Sequence, residues 1–83
     1  MTIQQITFPI TPSRRWSPQH RLYIHRLNEL VELIGRDAAH AWEQAEIYGR
    51  WLTWSQKAER IAFKLDAVHE RLDRDDNRNW AVQ

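Results

Sequence analysis

The chain has 83 residues, which suits a single domain close to the lower size limit for folding without disulfides or metals. Its net charge is only +1, from 12 basic and 11 acidic side chains, which excludes a strongly basic coat for nucleic acid and a strongly acidic mimic of it. Cysteine is absent, which excludes disulfides and thiolate metal sites and favours a reducing cytoplasm.

Neither a secretion signal nor a membrane span is apparent in the sequence. The first ten residues, MTIQQITFPI, lack the basic start and the continuous apolar run of a signal peptide. No apolar stretch approaches the ~20 residues that cross a bilayer. We therefore expect a cytoplasmic protein without membrane contact.

Residues 1–16 are predicted to form an extended N-terminal arm. Apolar and polar residues alternate in this segment with a period of two, which is the pattern of an extended chain. Pro9 and Pro12 lack a backbone N–H and so exclude a central strand. We expect the arm to lie along the helices that follow. Its apolar residues are Ile6, Phe8 and Ile10.

Residues 18–34 are predicted to form a first helix with local signals at both ends. Ser17 is a favourable N-cap, and Pro18 follows at the first helical position, where its missing N–H carries no cost. Gly35 comes directly after the last apolar residue and suits the left-handed conformation of a helix C-cap. Between these signals, apolar residues recur every three or four positions and form one stripe. They are Tyr23, Leu27, Leu30, Val31 and Ile34.

A longer second helix is predicted over residues 38–74, with Asp37 as its N-cap and Gly49 as a weak point. The short turn at Gly35 makes the two helices an antiparallel hairpin. Along the second helix, apolar residues alternate at spacings of three and four, which is the pattern of a coiled-coil or bundle contact. We call this set the seam. It consists of Trp51, Trp54, Ala58, Ile61, Leu65, Val68 and Leu72.

The predicted helices differ in length, which leaves the seam from Ala58 to Leu72 without a helical cover inside the chain. At ~1.5 Å per residue, the first helix spans about 25 Å and the second about 55 Å. The cover is either a second chain, most simply another copy in an antiparallel helical bundle, or the arm folded back. A second apolar stripe favours the second chain, because the arm cannot cover both faces. That stripe consists of Trp42, Ala45, Tyr48 and Leu52.

A cluster of four arginines and one tryptophan surrounds the start of the first helix. Such a cluster can bind phosphate groups, with Trp16 stacking on a base, so nucleic acid or a nucleotide is the alternative partner. Four arginines are few for duplex binding, and a solvated basic edge that pairs with carboxylates explains them more simply. The members of this basic cluster are Arg14, Arg15, Trp16, Arg21 and Arg26.

No group of residues is spaced for catalysis, for a cofactor or for a metal. The four histidines, at positions 20, 25, 40 and 69, lack the i, i+4 spacing of a helical metal pair. No two carboxylates are expected to share a buried cleft, and only two glycines are present, which leaves no phosphate loop. We therefore expect no enzymatic activity, no cofactor and no metal site.

The sequence thus predicts one all-α domain over residues 1–83, with an arm (1–16), a helical hairpin (17–74) and a polar tail (75–83). In the tail, Trp80 either docks on another protein or folds back on the hairpin. We expect a protein–protein interaction module, either an adaptor, a regulator or an inhibitor, that binds a second copy of itself or another protein. Trp51 and Trp54 are expected at the centre of the contact. Small phage and plasmid proteins that block a host component often share this size and helical character, which is an analogy of architecture alone.

Overall fold

Helices account for all the regular structure in the described part of the chain, and the predicted all-α fold class is confirmed. The computed structural model describes the backbone of residues 9–82 and the side chains of residues 9–74. None of the helices in this part combines the length and the apolar character that a membrane span requires. The elements are α1 (Pro18–Ile34), α2 (Arg36–Glu43), a π-helical turn (Gln44–Tyr48) and α3 (Trp54–Val82).

Helix α1 has the predicted bounds because local hydrogen bonds define both of its ends. The hydroxyl of Ser17 accepts a hydrogen bond of 3.1 Å from the backbone N–H of His20. At the other end, the N–H of Gly35 donates to the carbonyl of Val31 at 2.8 Å. The φ angle of Gly35 is +92°, which residues with a Cβ rarely adopt. This angle explains the glycine at this position.

The predicted second helix over residues 38–74 is wrong as a single element. In the structure it is divided into α2, the π-helical turn and α3, with a break at residues 49–53. The helix end predicted at residue 74 is also wrong, since α3 continues to Val82. The side chain of Trp80 lies outside the described side chains, so both predicted placements, docking on another protein and folding back on the hairpin, stay predictions.

The start of α2 also differs from the prediction. Helix α2 begins at Arg36, so Gly35 ends α1 and precedes α2 directly. Asp37 therefore lies in the first turn of α2, exposed, instead of serving as its N-cap. Its carboxylate still lies at the positive end of the helix dipole, where a negative charge is favourable.

Two tight turns form the break at residues 49–53. The π-helical turn ends at Tyr48, with Gly49 as its C-cap. The N–H of Arg50 then donates to the carbonyl of Ile47 at 3.2 Å, and the N–H of Leu52 donates to the carbonyl of Arg50 at 3.1 Å. These bonds redirect the chain and leave the following residue ready to start a new helix.

Thr53 starts α3 through a capping box. Its N–H donates to Oε1 of Gln56 at 2.9 Å, and its hydroxyl accepts from the N–H of Gln56 at 3.2 Å. This reciprocal pair satisfies two backbone donors that would otherwise lack partners at a helix start. The sequence Thr-Trp-Ser-Gln carries this signal, and it favours a helix start inside the region that was predicted as continuous helix.

Helix α3 runs parallel to α1. Near the start of both helices, the ring of Trp54 stacks on the ring of His20, with 3.7 Å between centroids. Toward their ends, Ile34 of α1 and Leu72 of α3 line one groove. Helix α2 and the π-helical turn run in the opposite direction. The antiparallel hairpin predicted for residues 17–74 therefore does not extend to α3, because the break reverses the chain a second time.

The core lies between α1 and α3, with contributions from α2 and the π-helical turn. Leu30, Ile47 and Ile61 are its largest fully buried side chains among the described residues. Three of the five residues in the predicted stripe of α1 are buried here, and Val31 and Ile34 pack at the edge. The buried apolar residues are Tyr23, Ile24, Leu27, Leu30, Ala39, Ile47, Ala58, Ile61 and Leu65.

The described part of the arm packs on α1. The N–H of Ile10 donates to Oδ1 of Asn28, and the carbonyl of Ile10 accepts from Nδ2 of Asn28, both at 2.8 Å. The Asn28 side chain thus pairs with the backbone of the arm as a neighbouring strand would. Ile10 and Trp16 pack against the core. Ile6 and Phe8 lie outside the described residues.

Candidate interaction surface

Helix α1 covers the central residues of the predicted seam. Ala58, Ile61 and Leu65 are buried in the core. Val68 is half-buried at the edge of this core, and Leu72 is 41% exposed. The expectation of a bare seam from Ala58 to Leu72 is therefore wrong. The break folds α3 back along α1, whereas the comparison of lengths assumed one continuous second helix.

Trp54 belongs to a stack of rings at the edge of the core. Its ring lies on His20 at an interplanar angle of 11°, and His20 lies on Trp16 with 4.1 Å between centroids. Nζ of Lys57 lies 4.1 Å from the centroid of the Trp54 ring, which is a cation–π contact. Partial burial, followed by the charge of Lys57, lowers the pKa of His20 below its usual value. The stack joins the arm to α1 and α3.

Trp51 projects from the break into solvent. Its side chain is 103% exposed, as much as in an extended peptide, whereas Trp54 is 37% exposed. The heptad spacing predicted that both rings would lie on one helix face. The structure separates them because Trp51 lies outside any helix and Trp54 begins α3.

The turn that carries Trp51 is held by its neighbours on both sides. Leu52 packs against the core. The carboxylate of Glu46, in the π-helical turn, pairs with Arg50 at 3.7 Å and with Arg60 of α3 at 3.2 Å. One carboxylate therefore links the π-helical turn, the break and α3. Because these contacts already hold the backbone on both sides of Trp51, binding through this residue would cost little conformational entropy.

We call residues 48–52 the break surface. Tyr48 is 57% exposed, and with Trp51 it gives this surface two exposed aromatic rings within four residues. A shallow groove of about 440 Å³ adjoins the break surface and is lined by Leu52 and by residues of α3. Phe63, which lies at the α3 side of this groove, is 66% exposed.

The fold divides the predicted basic cluster. Nη1 of Arg26 donates to the carbonyl of Ala58 at 2.7 Å and so ties α1 to α3. Trp16 is half-buried and has one face on His20. These two members therefore contribute to the fold itself. The remaining members are Arg14 and Arg15, which are exposed, and Arg21, which is half-buried.

A buried carboxylate that the sequence analysis did not single out lies between α2 and α1. Glu43 is 3% exposed and accepts a hydrogen bond of 2.5 Å from the hydroxyl of Tyr23. Nδ1 of His40 is 3.5 Å from the other carboxylate oxygen, and this buried nitrogen has no hydrogen-bond partner among the described residues. The signal in the sequence was its position: Glu43 lies four residues after Ala39 and four residues before Ile47. The structure buries both of these apolar residues.

The phenols around Glu43 are held in their neutral form. Burial, followed by the hydrogen bond to Glu43, raises the pKa of Tyr23 far above its usual range. Burial, followed by the negative charge of Glu43, also raises the pKa of Tyr48. A cavity of about 150 Å³ adjoins these residues, with Lys57 at its lining. Protonated phenols can donate hydrogen bonds here, which suits a polar contact that stabilises the fold.

The comparisons with known proteins do not assign a family. No protein-family model matches the chain, and neither the curated proteins nor the solved structures gave a match. Among the side chains of residues 9–74, no group of three or more histidine, aspartate or glutamate residues is placed to hold a metal ion. The exposed surface is therefore the basis for assigning a function.

Proposed function

We propose that this protein is a non-enzymatic protein–protein interaction module, either an adaptor, a regulator or an inhibitor, that binds its partner through the break surface. Trp51 carries the proposal, because it is fully exposed on a turn that is held on both sides. Burying roughly 200 Å² of indole at ~25 cal/mol per Å² provides about 5 kcal/mol before the costs of association. Tryptophan is accordingly enriched at the centres of protein interfaces.

The residues around Trp51 suit the rim of an interface that has Trp51 at its centre. Tyr48 adds a second ring, which presents an apolar body and a hydroxyl. The rim is polar: Arg50 and Arg60 share the carboxylate of Glu46, at 3.7 Å and 3.2 Å, which leaves one net positive charge beside Trp51. A central aromatic anchor with a polar rim is the usual arrangement of residues in a protein interface.

The state of the basic cluster favours a protein partner over a nucleic acid. Phosphate binding requires cations that are available to the ligand, and Arg26 of the basic cluster is already bonded to a backbone carbonyl. Trp16 has one face occupied by His20, which leaves less of the ring for stacking on a base. The proposal includes a cytoplasmic location, which the cysteine-free composition supports.

Affinity capture from a lysate of the source organism, followed by quantitative mass spectrometry, tests the proposal. The wild-type chain is compared with Trp51→Ala and with the control Leu22→Ala, since Leu22 is 42% exposed on α1 outside the break surface. We expect a protein that the wild type and the control retain and that Trp51→Ala loses. With the purified partner, Trp51→Ala should raise Kd by about 30-fold or more, the effect of a hot-spot residue.

Two results would count against the proposal. One is capture of the same proteins, in the same amounts, by the wild type and Trp51→Ala. The other is binding that weakens by orders of magnitude between low and moderate salt, because that dependence is typical of phosphate contacts. The second result would favour the basic cluster, and Arg14→Glu with Arg15→Glu would then abolish binding.

A further inference from the structure

Helix α3 has charges of opposite sign along its two edges, each repeated every seven residues. The basic stripe consists of Lys57, Lys64 and Arg71, and the acidic stripe consists of Glu59, Asp66 and Asp73. Seven residues make almost two helical turns, so each set forms one line along the helix. The side chains at positions 58 and 65, which face α1, lie on the opposite side of the helix from the surface between the stripes.

The surface between the two stripes is exposed and partly apolar. We call it the outer face of α3, and it contains Phe63, which is 66% exposed, and Ala67. The charged residues in the middle of the outer face are already paired within the chain. Arg60 pairs with Glu46 at 3.2 Å, and Arg74 pairs with Glu70. Intramolecular pairing thus removes most of the charge between the stripes.

A groove runs along the basic edge of α3. It has a volume of about 350 Å³, and its apolar walls include Leu33 and Ile34 of α1 and Val68 of α3. Lys64 and Arg71 of the basic stripe also line it, and its described lining contains no carboxylate. This groove therefore fits a segment that presents apolar side chains beside acidic ones.

We propose that a second copy of this chain docks on the outer face, with the two α3 helices parallel. A two-fold axis along parallel helices brings the acidic stripe of each copy against the basic stripe of the other. An antiparallel pair would instead place like stripes together. Phe63 and Ala67 lie between the stripes, where each copy can cover the apolar surface of the other.

The spacing of the stripes matches the pairing rule for parallel helices. In a parallel pair of helices, an edge residue of one helix faces the edge residue of the other helix whose number is five higher. An ion pair forms when these two residues have opposite charges. Glu59 and Lys64 have this separation, and so do Asp66 and Arg71. None of these four side chains has an ion-pair partner among residues 9–74. A symmetric dimer therefore forms each of the two pairs twice.

This proposal does not depend on the function proposed for the break surface. Trp51 is not on α3, so Trp51→Ala should leave self-association unchanged. Conversely, charge reversal on the stripes should leave the two exposed rings of the break surface in place. The dimer and the capture of another protein can therefore fail separately.

Sedimentation velocity over a concentration series to the high micromolar range tests the charge pairing. We expect dimer for the wild type, monomer for Glu59→Lys and for Lys64→Glu, and dimer again for the chain with both changes. Rescue is expected because the exchanged charges remain complementary between copies, whereas positions five apart on one helix do not face each other. Glu32→Lys, on the exposed surface of α1, is the matched control and should remain a dimer.

Cross-linking tests the parallel orientation, and the absence of native cysteine makes it direct. Ala67→Cys and Arg74→Cys, prepared separately, should each form a disulfide with its own counterpart on mild oxidation. An antiparallel pair can align only one of the two positions with itself. His25→Cys, exposed on α1, is the control and should not cross-link.

Three results would overturn the inference. They are a monomeric wild type at every concentration, single charge reversals that still dimerise, and failure of either cysteine variant to cross-link. Circular dichroism of each variant confirms that the helices are retained, so that loss of the dimer is separated from loss of the fold. Should the dimer fail while Trp51→Ala still abolishes capture, only the inference about α3 is wrong.

Discussion

Replacing Trp54 by alanine should destabilise the isolated chain, whereas replacing Trp51 by alanine should leave its stability almost unchanged. Trp54→Ala removes one ring from the stack with His20 and breaks the cation–π contact with Lys57. Trp51→Ala removes a side chain that is fully exposed. The two changes delete the same atoms, so the difference between them measures the contribution of the tertiary contacts alone.

The magnitude follows from the covered surface of each ring. Since Trp54 is 37% exposed, nearly two-thirds of its side chain is covered. That is roughly 150 Å², and at ~25 cal/mol per Å² its loss, less the part that alanine retains, destabilises by about 3 kcal/mol. For a domain of this size the melting temperature should fall by roughly 10–20 °C. Trp51→Ala should change stability by less than about 0.5 kcal/mol.

Thermal unfolding followed by far-ultraviolet circular dichroism is the appropriate assay, because tryptophan fluorescence itself changes in both variants. Trp54→Phe is the matched control and should retain part of the stability, since a smaller ring can still stack on His20. Equal melting temperatures for Trp51→Ala and Trp54→Ala would refute the reasoning. So would a large loss in Trp51→Ala, because an exposed ring has no folded contact to lose.

Three further predictions concern the core, the helix start and the ring stack. Leu65→Asp should abolish the helical circular dichroism signal, since burying an unpaired charge costs several kcal/mol. Asp66→Ala, at an exposed position, should keep that signal. Thr53→Ala should lower the free energy of unfolding in urea by about 1 kcal/mol, and Thr53→Ser should retain most of it. Burial, followed by the charge of Lys57, lowers the pKa of His20 in the folded state below its unfolded value. The stability that this shift provides is therefore fully present above the unfolded pKa and is lost on acidification. Between about pH 7 and pH 5, His20→Phe should therefore lose less stability than the wild type, and an unchanged pH profile would contradict this.

Helix α1 shows what local sequence can predict. The Ser17 cap, the proline after it and Gly35 act through hydrogen bonds or backbone angles within a few residues. Such interactions are independent of the rest of the fold, so both ends of α1 agree with the prediction. The apolar stripe also identified most of its buried face, because a helix must turn its apolar side toward whatever covers it.

The break at residues 49–53 shows the limit of periodicity. The apolar spacing continues through Trp51 and Trp54 as though one helix ran across both, yet the chain turns between them. Spacing records which residues share a face only if the helix is continuous. The capping signal at Thr53 was local and therefore readable, but a capping pair inside a long apolar pattern has to compete with continuation of the helix.

The sequence by itself determined the helical class of the fold, the limits of α1 and the apolar positions that supply the core. Only the tertiary structure decided what covers those positions, because the break places α3 parallel to α1 and buries Ala58, Ile61 and Leu65 within one chain. The same turn leaves Trp51 exposed, although its spacing in the sequence is that of a core residue. Burial depends on which surfaces meet, and a pattern along one chain specifies an apolar face without specifying its partner.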